Sequence, residues 1–123
     1  TMVRLRTVGG GDEAYEKDGI RYVIMEATGE LKQMQNMIGE LTRDAAKPTV
    51  AVVGSREGGG KLIVAITEGT IAAENHNAVE ILNSISEHIG GGGGGRPTFA
   101  QGGGSNADGL DAALDAARAT LDL

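Results

Sequence analysis

The sequence predicts a single small α/β domain of two layers, with the element order β-α-β-β-α-(glycine loop)-α. The chain has 123 residues, which is the length of one hydrophobic core. Short runs of β-branched residues alternate with stretches whose apolar residues recur at helical spacing. Hydrophobic residues make up 40% of the chain but include only three aromatic side chains, Tyr15, Tyr22 and Phe99. The core is therefore expected to be aliphatic.

The first 19 residues carry the weakest pattern. Three glycines, Gly9 to Gly11, precede a charged stretch, and the brief alternation of Val3, Leu5 and Thr7 is compatible with a frayed strand or with a domain boundary. We interpret residues 1–19 as a truncation edge or linker and residues 20–123 as the domain.

The first clear unit is a strand followed by a helix. Residues 20–25 are rich in β-branched and aromatic residues and predict a strand. Thr28 is a suitable cap for a helix whose apolar stripe runs from Leu31 to Ala45 and which must end before Pro48.

Two central strands and two more helices follow. Residues 49–55 and 61–67 are continuous apolar runs, and the short link between them predicts a hairpin. The first strand, the first helix and the second strand then form a βαβ unit. A second helix is predicted over residues 74–88. A third helix is predicted with Ser105 or Asn106 as its cap and with an inner apolar face that ends at Leu121.

Composition excludes several classes of site. There is no Cys, and His76 and His88 are 12 residues apart, about 18 Å along one predicted helix, so a metal site is not expected. We interpret His76 as part of an exposed helix start, with a place at the polar edge of the glycine loop as the alternative, and His88 as a favourable contact of a helix carboxy-terminus. Glu68, Glu74 and Glu80 have no partner base or nucleophile. We therefore expect a domain that is not an enzyme by itself and holds no cofactor.

Localisation and charge set two further expectations. No apolar run approaches the roughly 20 residues that cross a bilayer, and no signal-peptide pattern is present, so a cytoplasmic protein without membrane contact is expected. The net charge of −6 opposes broad binding to nucleic acid. Any such contact should be local.

A glycine-rich segment is the most unusual feature of the sequence. Nine of the fifteen residues from Gly90 to Gly104 are glycine, at a large cost in backbone entropy. One interpretation is a loop whose N–H groups meet an anion, with Arg96 as its charge and Gln101 as a further donor. A flexible linker is the alternative, although the Arg96–Gln101 insert, with an aromatic residue, is unusual for a linker.

This segment resembles the glycine-rich signature of the carboxy-terminal domain of alanyl-tRNA synthetases, in the DHHA1 group and of archaeal type. The resemblance covers roughly Gly19 to Leu121. It implies a tRNA-binding and dimerisation module that holds the outer corner of tRNA-Ala for aminoacylation and editing, with the rest of the synthetase chain as its partner. The contact candidates that it implies are Gly90, Gly91, Gly92, Gly93, Gly94, Gly95, Arg96, Gln101, Gly102, Gly103 and Gly104.

Three other functions stay open on the sequence. The chain could be a pure assembly module with the glycine segment as a packing element. It could also be the carboxy-terminal domain of a trans-editing alanyl-tRNA hydrolase or of a DHH-type phosphoesterase. Neither catalytic centre lies within these residues.

Overall fold

A computed structural model describes residues 2–4, 13–17, 19–26, 31–43, 46–56 and 59–121. Its strands are β1 Met2–Arg4, β2 Glu13–Lys17, β3 Ile20–Glu26, β4 Thr49–Ser55, β5 Gly60–Ile66, β6 Gly91–Arg96 and β7 Phe99–Gly104. Its α-helices are α1 Leu31–Thr42, α2 Ile71–Asn75, α3 Ala78–Ile85 and α4 Leu110–Thr120. Short 3-10 helices span Ser86–Ile89 and Ala107–Gly109.

The strands form one seven-stranded sheet in the order β1-β2-β3-β4-β5-β7-β6. β3 and β4 are parallel and are joined through α1, which confirms the predicted βαβ unit. All other neighbouring pairs are antiparallel, including the predicted hairpin of β4 and β5. Because β6 is the last strand, one of its edges has no neighbouring strand in the described sheet.

Alternating side chains of the central strands pack into two separate cores. Met34 and Ile38 of α1 lie with Val53 and Ile63 on one side of the sheet, which we call the α1 face. On the other side, the α3 face, α3 and α4 cover a larger core. That core includes Tyr22, Ile24, Val50, Val52, Leu62, Val64, Leu82, Ile85, Ile89, Leu110 and Leu114.

The α/β class and the single small domain are confirmed. The sequence placed the helices in one layer, whereas the structure has helices on both faces and therefore three layers. The continuous apolar runs of β4 and β5 are explained by this arrangement, since both strands are covered on both faces and every residue of the two except Lys61 is buried.

Gly54 shows how closely the layers approach. This residue of β4 lies under α4, and a Cβ there would come 2.5 Å from Cδ1 of Leu110. Real Cβ atoms essentially never come this close, so a side chain at this position would require the Leu110 side chain to shift. Leu110 is itself completely buried.

The second helix differs from its prediction. The segment divides at His76 and Asn77 into α2 and α3, and a 3-10 turn replaces the last residues through His88. Asn77 is the cap of α3, since its side-chain oxygen accepts hydrogen bonds from the backbone N–H groups of Val79 and Glu80 at 2.9 and 3.2 Å. His76 lies half-buried between the two helices, so the interpretation as an exposed helix start was wrong.

The cap of the third helix also differs. Asn106 precedes the 3-10 turn but makes no capping hydrogen bond with its side chain. Its amide nitrogen instead donates to the backbone oxygen of His88 at 3.2 Å, which ties α4 to the end of α3. The predicted cap of the first helix, Thr28, lies outside the described residues.

The amino-terminal part contains strands that the sequence did not define. β2 pairs with β3 along five residues, and β1 pairs with β2. Tyr15 of β2 belongs to the buried core of the α3 face. Within residues 1–19, the described segments therefore extend the same sheet.

No helix in the described ranges is long and apolar enough to span a membrane. The same ranges contain no group of three or more His, Cys, Asp or Glu side chains placed to hold a metal ion.

Candidate nucleic-acid interface

The glycine-rich segment is a β-hairpin, which corrects the prediction of a loop. Gly91–Arg96 form β6, Pro97 and Thr98 form a two-residue turn, and Phe99–Gly104 form β7. Each strand is six residues long, and they pair along their whole length, from Gly91 with Gly104 to Arg96 with Phe99. Alternate N–H groups of β6 thus belong to the β-ladder with β7, the others point to the free edge, and the extended strand does not bring them together in one concavity.

Gly90 has a separate role at the start of the hairpin. It ends the 3-10 turn with φ of 70°, a left-handed conformation that favours glycine. Its N–H donates to the backbone oxygen of Glu87 at 3.0 Å. Gly90 is therefore explained by chain reversal alone.

The glycines of β6 alternate between two environments. Gly91, Gly93 and Gly95 lie opposite Gly104, Gly102 and Ala100, on the α3 face. A Cβ on any of these three glycines would collide with the backbone of β7. Close pairing of the two strands accounts for them without any ligand.

Gly92 and Gly94 lie on the opposite, α1 face of the hairpin. A Cβ at either residue would have no atom within 4 Å. Both residues are exposed, and neither has a positive φ. The fold therefore does not explain why these two positions lack side chains.

We call the α1-facing side of the hairpin the glycine surface. By strand register it consists of Gly92, Gly94, Arg96, Phe99, Gln101 and Gly103. α1 packs mainly on β4 and β5, so it covers the sheet only up to the border of β7. Gln35 of α1 marks this border, since its amide nitrogen donates to Oε1 of Gln101 at 2.7 Å.

Basic side chains lie at both ends of the glycine surface. At one end, Lys61 lines an open cavity of about 300 Å³ together with Gly92, Gly103 and Gln101. At the other end, Arg96 and Arg43 line a cavity of about 410 Å³ that also contains Phe99 and Glu68. The sequence did not indicate Lys61 or Arg43, because only the pairing of β5 with β7 and the position of α1 bring them here.

The charge of Arg96 is only weakly compensated. Its Nε lies 3.9 Å from Oε1 of Glu68, and both side chains are about 70% exposed, at 71% and 68%. Glu68 is held by Thr98, whose hydroxyl donates to the same carboxylate at 2.8 Å. An exposed pair of this length contributes little energy, so the Arg96 guanidinium is available to an anion.

The structure thus divides the predicted contact residues into two groups. Gly92, Gly94, Arg96, Gln101 and Gly103 share one exposed surface. The others serve the hairpin itself or face α3. They are Gly90, Gly91, Gly93, Gly95, Gly102 and Gly104.

The comparison with protein families gives one match that covers most of the chain. The model of the DHHA1 domain matches residues 19–122.

Curated relatives are alanine-tRNA ligases. The chain is 35% identical to the enzyme of Paramagnetospirillum magneticum over 87% of its length and 33% identical to that of Methanothrix thermoacetophila over 93%. It is 39% identical to the enzyme of Halorubrum lacusprofundi over 94% of its length. In each case it spans only 12% of the relative.

Two solved structures are similar in fold. The C-Ala domain of Aquifex aeolicus alanyl-tRNA synthetase has a TM-score of 0.63 and 27% identity, over 78% of this chain and 84% of that one. A DHH-domain protein described as a member of a family of ribosomal proteins has a TM-score of 0.56 at 13% identity, over 98% of this chain and 27% of that one. The second likeness concerns the fold alone.

Proposed function

The chain belongs to the DHHA1 domain family, and we propose that it acts as the tRNA-binding carboxy-terminal domain of an alanyl-tRNA synthetase. In this role it holds tRNA-Ala for the aminoacylation and editing sites of the parent chain and is not catalytic itself. Its partners are tRNA, at the outer corner, and the rest of the synthetase. It needs no cofactor and works in the cytoplasm.

One observation carries the proposal, namely the open space above Gly92 and Gly94. Glycine costs backbone entropy in a strand, and at these two positions the fold gives no steric reason for it. A surface without side chains allows another molecule to approach the backbone closely. The basic residues at its two ends indicate that this molecule is an anion.

The layout of charges favours nucleic acid over a small anion. Lys61 and Arg96 lie at opposite ends of the hairpin. Gly92, which faces the cavity of Lys61, is four residues from Arg96, or about 13 Å at 3.3 Å per residue. Several phosphates of one strand can bridge this distance, whereas a single phosphate cannot.

The experiment compares variants that differ only in where they add bulk. Gly94→Val places a side chain in the open space of the glycine surface, whereas Ala112→Leu enlarges an exposed residue of α4 on the other face. We expect Gly94→Val to weaken tRNA binding about tenfold, equal to about 1.4 kcal/mol, by blocking close approach. Fluorescence anisotropy with labelled tRNA-Ala measures the affinity, and circular dichroism checks the fold.

Ala112→Leu should bind tRNA like the unaltered domain. Equal affinities for all three proteins, with unchanged circular dichroism spectra, would contradict binding at the glycine surface.

The exposed edge of β6 favours a second candidate function, self-association. An edge strand offers unpaired backbone groups to a strand of another chain, and β6 has no side chains before Arg96 to hinder such pairing. Light scattering at increasing protein concentration tests this possibility, which is compatible with tRNA binding on the adjacent face. A strict monomer would remove assembly as a function of this domain.

A further inference from the structure

A third cavity with basic lining residues lies on the α1 face, on the far side of α1 from the glycine surface. It has a volume of about 330 Å³ and opens where β3 begins and where the chain enters β4. Its lining residues are Glu16, Gly19, Arg21, Ala46, Lys47 and Pro48.

Arg21 is fixed in this cavity by two hydrogen bonds, only one of which uses its guanidinium, and the guanidinium therefore keeps donors left over. Its backbone N–H donates to the oxygen of Pro48 at 2.8 Å, and its Nη2 donates to the oxygen of Leu41, in the last turn of α1, at 3.1 Å. Its Nε is buried and has no hydrogen-bond partner among the described residues. That atom is closed to the cavity, but the guanidinium keeps further N–H donors on Nη1 and Nη2, and an acceptor oxygen in the cavity would satisfy these.

The charges around the cavity favour an anion as the source of that oxygen. Lys47 is exposed and forms no ion pair with any residue that the structure describes. Glu16 is the cross-strand neighbour of Arg21 but makes no ion pair with it. Two cations therefore face one carboxylate among the lining residues.

We propose that this cavity binds a phosphate group of the nucleic-acid backbone. Arg21 donates to a phosphate oxygen from the guanidinium N–H groups that Leu41 does not occupy, Leu41 holds the guanidinium in place, and Lys47 supplies the second charge. A guanidinium fixed in this way is well suited to phosphate, since its planar donors need not be ordered on binding. The identification of the phosphate as part of nucleic acid rests on the proposed function.

The position of the cavity fits a second contact with the same bound tRNA. Both sites lie on the α1 face, and four strand spacings separate β3 from β6, or roughly 19 Å at about 4.8 Å per strand. One tRNA can therefore reach both sites past the carboxy-terminal end of α1.

A measurement on Arg21 itself tests the cavity independently of tRNA binding. The Nε–H group of Arg21 gives a resonance of its own in a ¹H–¹⁵N correlation spectrum, assigned with Arg21→Lys. Titration with inorganic phosphate in a phosphate-free buffer should shift this resonance, and Lys47→Gln should require several times more phosphate for the same shift. Absence of a shift in the unaltered domain overturns the site.

Binding of tRNA-Ala distinguishes nucleic acid from free phosphate. Addition of tRNA should shift the same resonance, Lys47→Gln should weaken tRNA binding several-fold at low salt, and Glu16→Gln, which removes the repelling carboxylate, should strengthen it. A shift with inorganic phosphate but none with bound tRNA overturns the assignment to nucleic acid.

The Gly94→Val variant separates this inference from the proposed function. It should lose tRNA affinity yet keep the full phosphate-induced shift of Arg21, because the glycine surface and the cavity share no residues. If Gly94→Val binds tRNA normally while the phosphate shift persists, the glycine surface fails and the phosphate site stands. If the shift is lost in Gly94→Val, the two sites are not independent and the inference is wrong.

Discussion

At the scale of single residues, His76 joins three parts of the fold. Its Nε2 lies 2.8 Å from the hydroxyl of Tyr22 on β3, and the two rings meet edge to face with centroids 5.5 Å apart. Lys17 of β2 lies over the ring of Tyr22 and donates to the backbone oxygen of Leu121 at 3.0 Å. β2, β3 and the segment before α3 are thus held together around one imidazole.

This environment makes the domain less stable in mild acid. Burial, and to a smaller degree the positive charge of Lys17, lower the pKa of His76 in the folded state. The unfolded chain, with an ordinary His pKa near 6.5, therefore binds a proton more readily than the folded one. The contribution of His76 to stability is present above that pH and is lost as the pH falls through the lower, folded pKa.

We expect the free energy of unfolding to decrease between pH 7 and pH 5, and to decrease less in His76→Gln, which cannot titrate. Urea denaturation at several pH values measures both proteins under the same conditions. Parallel pH profiles for the two would show that His76 does not sense pH.

At the scale of elements, the β6–β7 hairpin combines two uses of glycine in one strand. The positions facing α3 are glycine because β7 leaves no room, and the positions facing the α1 side are glycine although room is present. Stability and ligand binding should therefore respond to different members of the same tract.

A pair of substitutions one residue apart tests this alternation. Gly93→Ala brings a methyl group against the carbonyl of Gln101 and should lower the free energy of unfolding by about 1–3 kcal/mol. Gly92→Ala should be neutral or stabilising by up to about 1 kcal/mol, since alanine restricts the unfolded chain. Urea denaturation measures the free energy of unfolding of both variants. Equal decreases for the two substitutions would contradict the alternation.

The sequence could predict β3, β4, β5 and α1 because each element is defined by a local pattern of apolar residues. It could not predict β6, because five glycines carry no side-chain periodicity and only pairing with β7 makes them a strand. Their composition is that of a linker or loop. For the same reason, only the strand register shows that Gly92 and Gly94 lie on the exposed α1 side, since the sequence does not distinguish them from the glycines beside them.

The other features of the site that could not be predicted from the sequence involve side chains from distant segments of the chain. Lys61 and Arg43 are separated from the glycine segment by about 30 and 50 residues and show no motif of their own. The helix is interrupted at His76, whose ring meets Tyr22 of β3. This contact with a distant strand likewise could not be predicted from helical spacing. Arg96 and Gln101 were found because they interrupt two glycine runs.

At the scale of the whole molecule, charge limits how the domain can bind tRNA. The chain carries a net charge of −6, yet all three cavities with basic lining residues and the glycine surface lie on one face of the sheet. Five basic residues line these cavities, namely Arg21, Arg43, Lys47, Lys61 and Arg96. Arg43 is already paired with Glu40.

Binding should therefore depend on salt only moderately. The logarithm of the binding constant falls as the logarithm of the salt concentration rises, with a slope of about −0.9 for each phosphate contact. About five contacts therefore give a slope no steeper than about −4.5.

Arg96→Ala should weaken tRNA binding and make this slope shallower by about 1, with an unchanged circular dichroism spectrum. Fluorescence anisotropy with tRNA-Ala from 50 to about 200 mM salt, the range over which such slopes are resolved, measures both values. A slope much steeper than the limit would place the tRNA on a broader basic surface than this face provides, and an unaltered slope in Arg96→Ala would remove Arg96 from the interface.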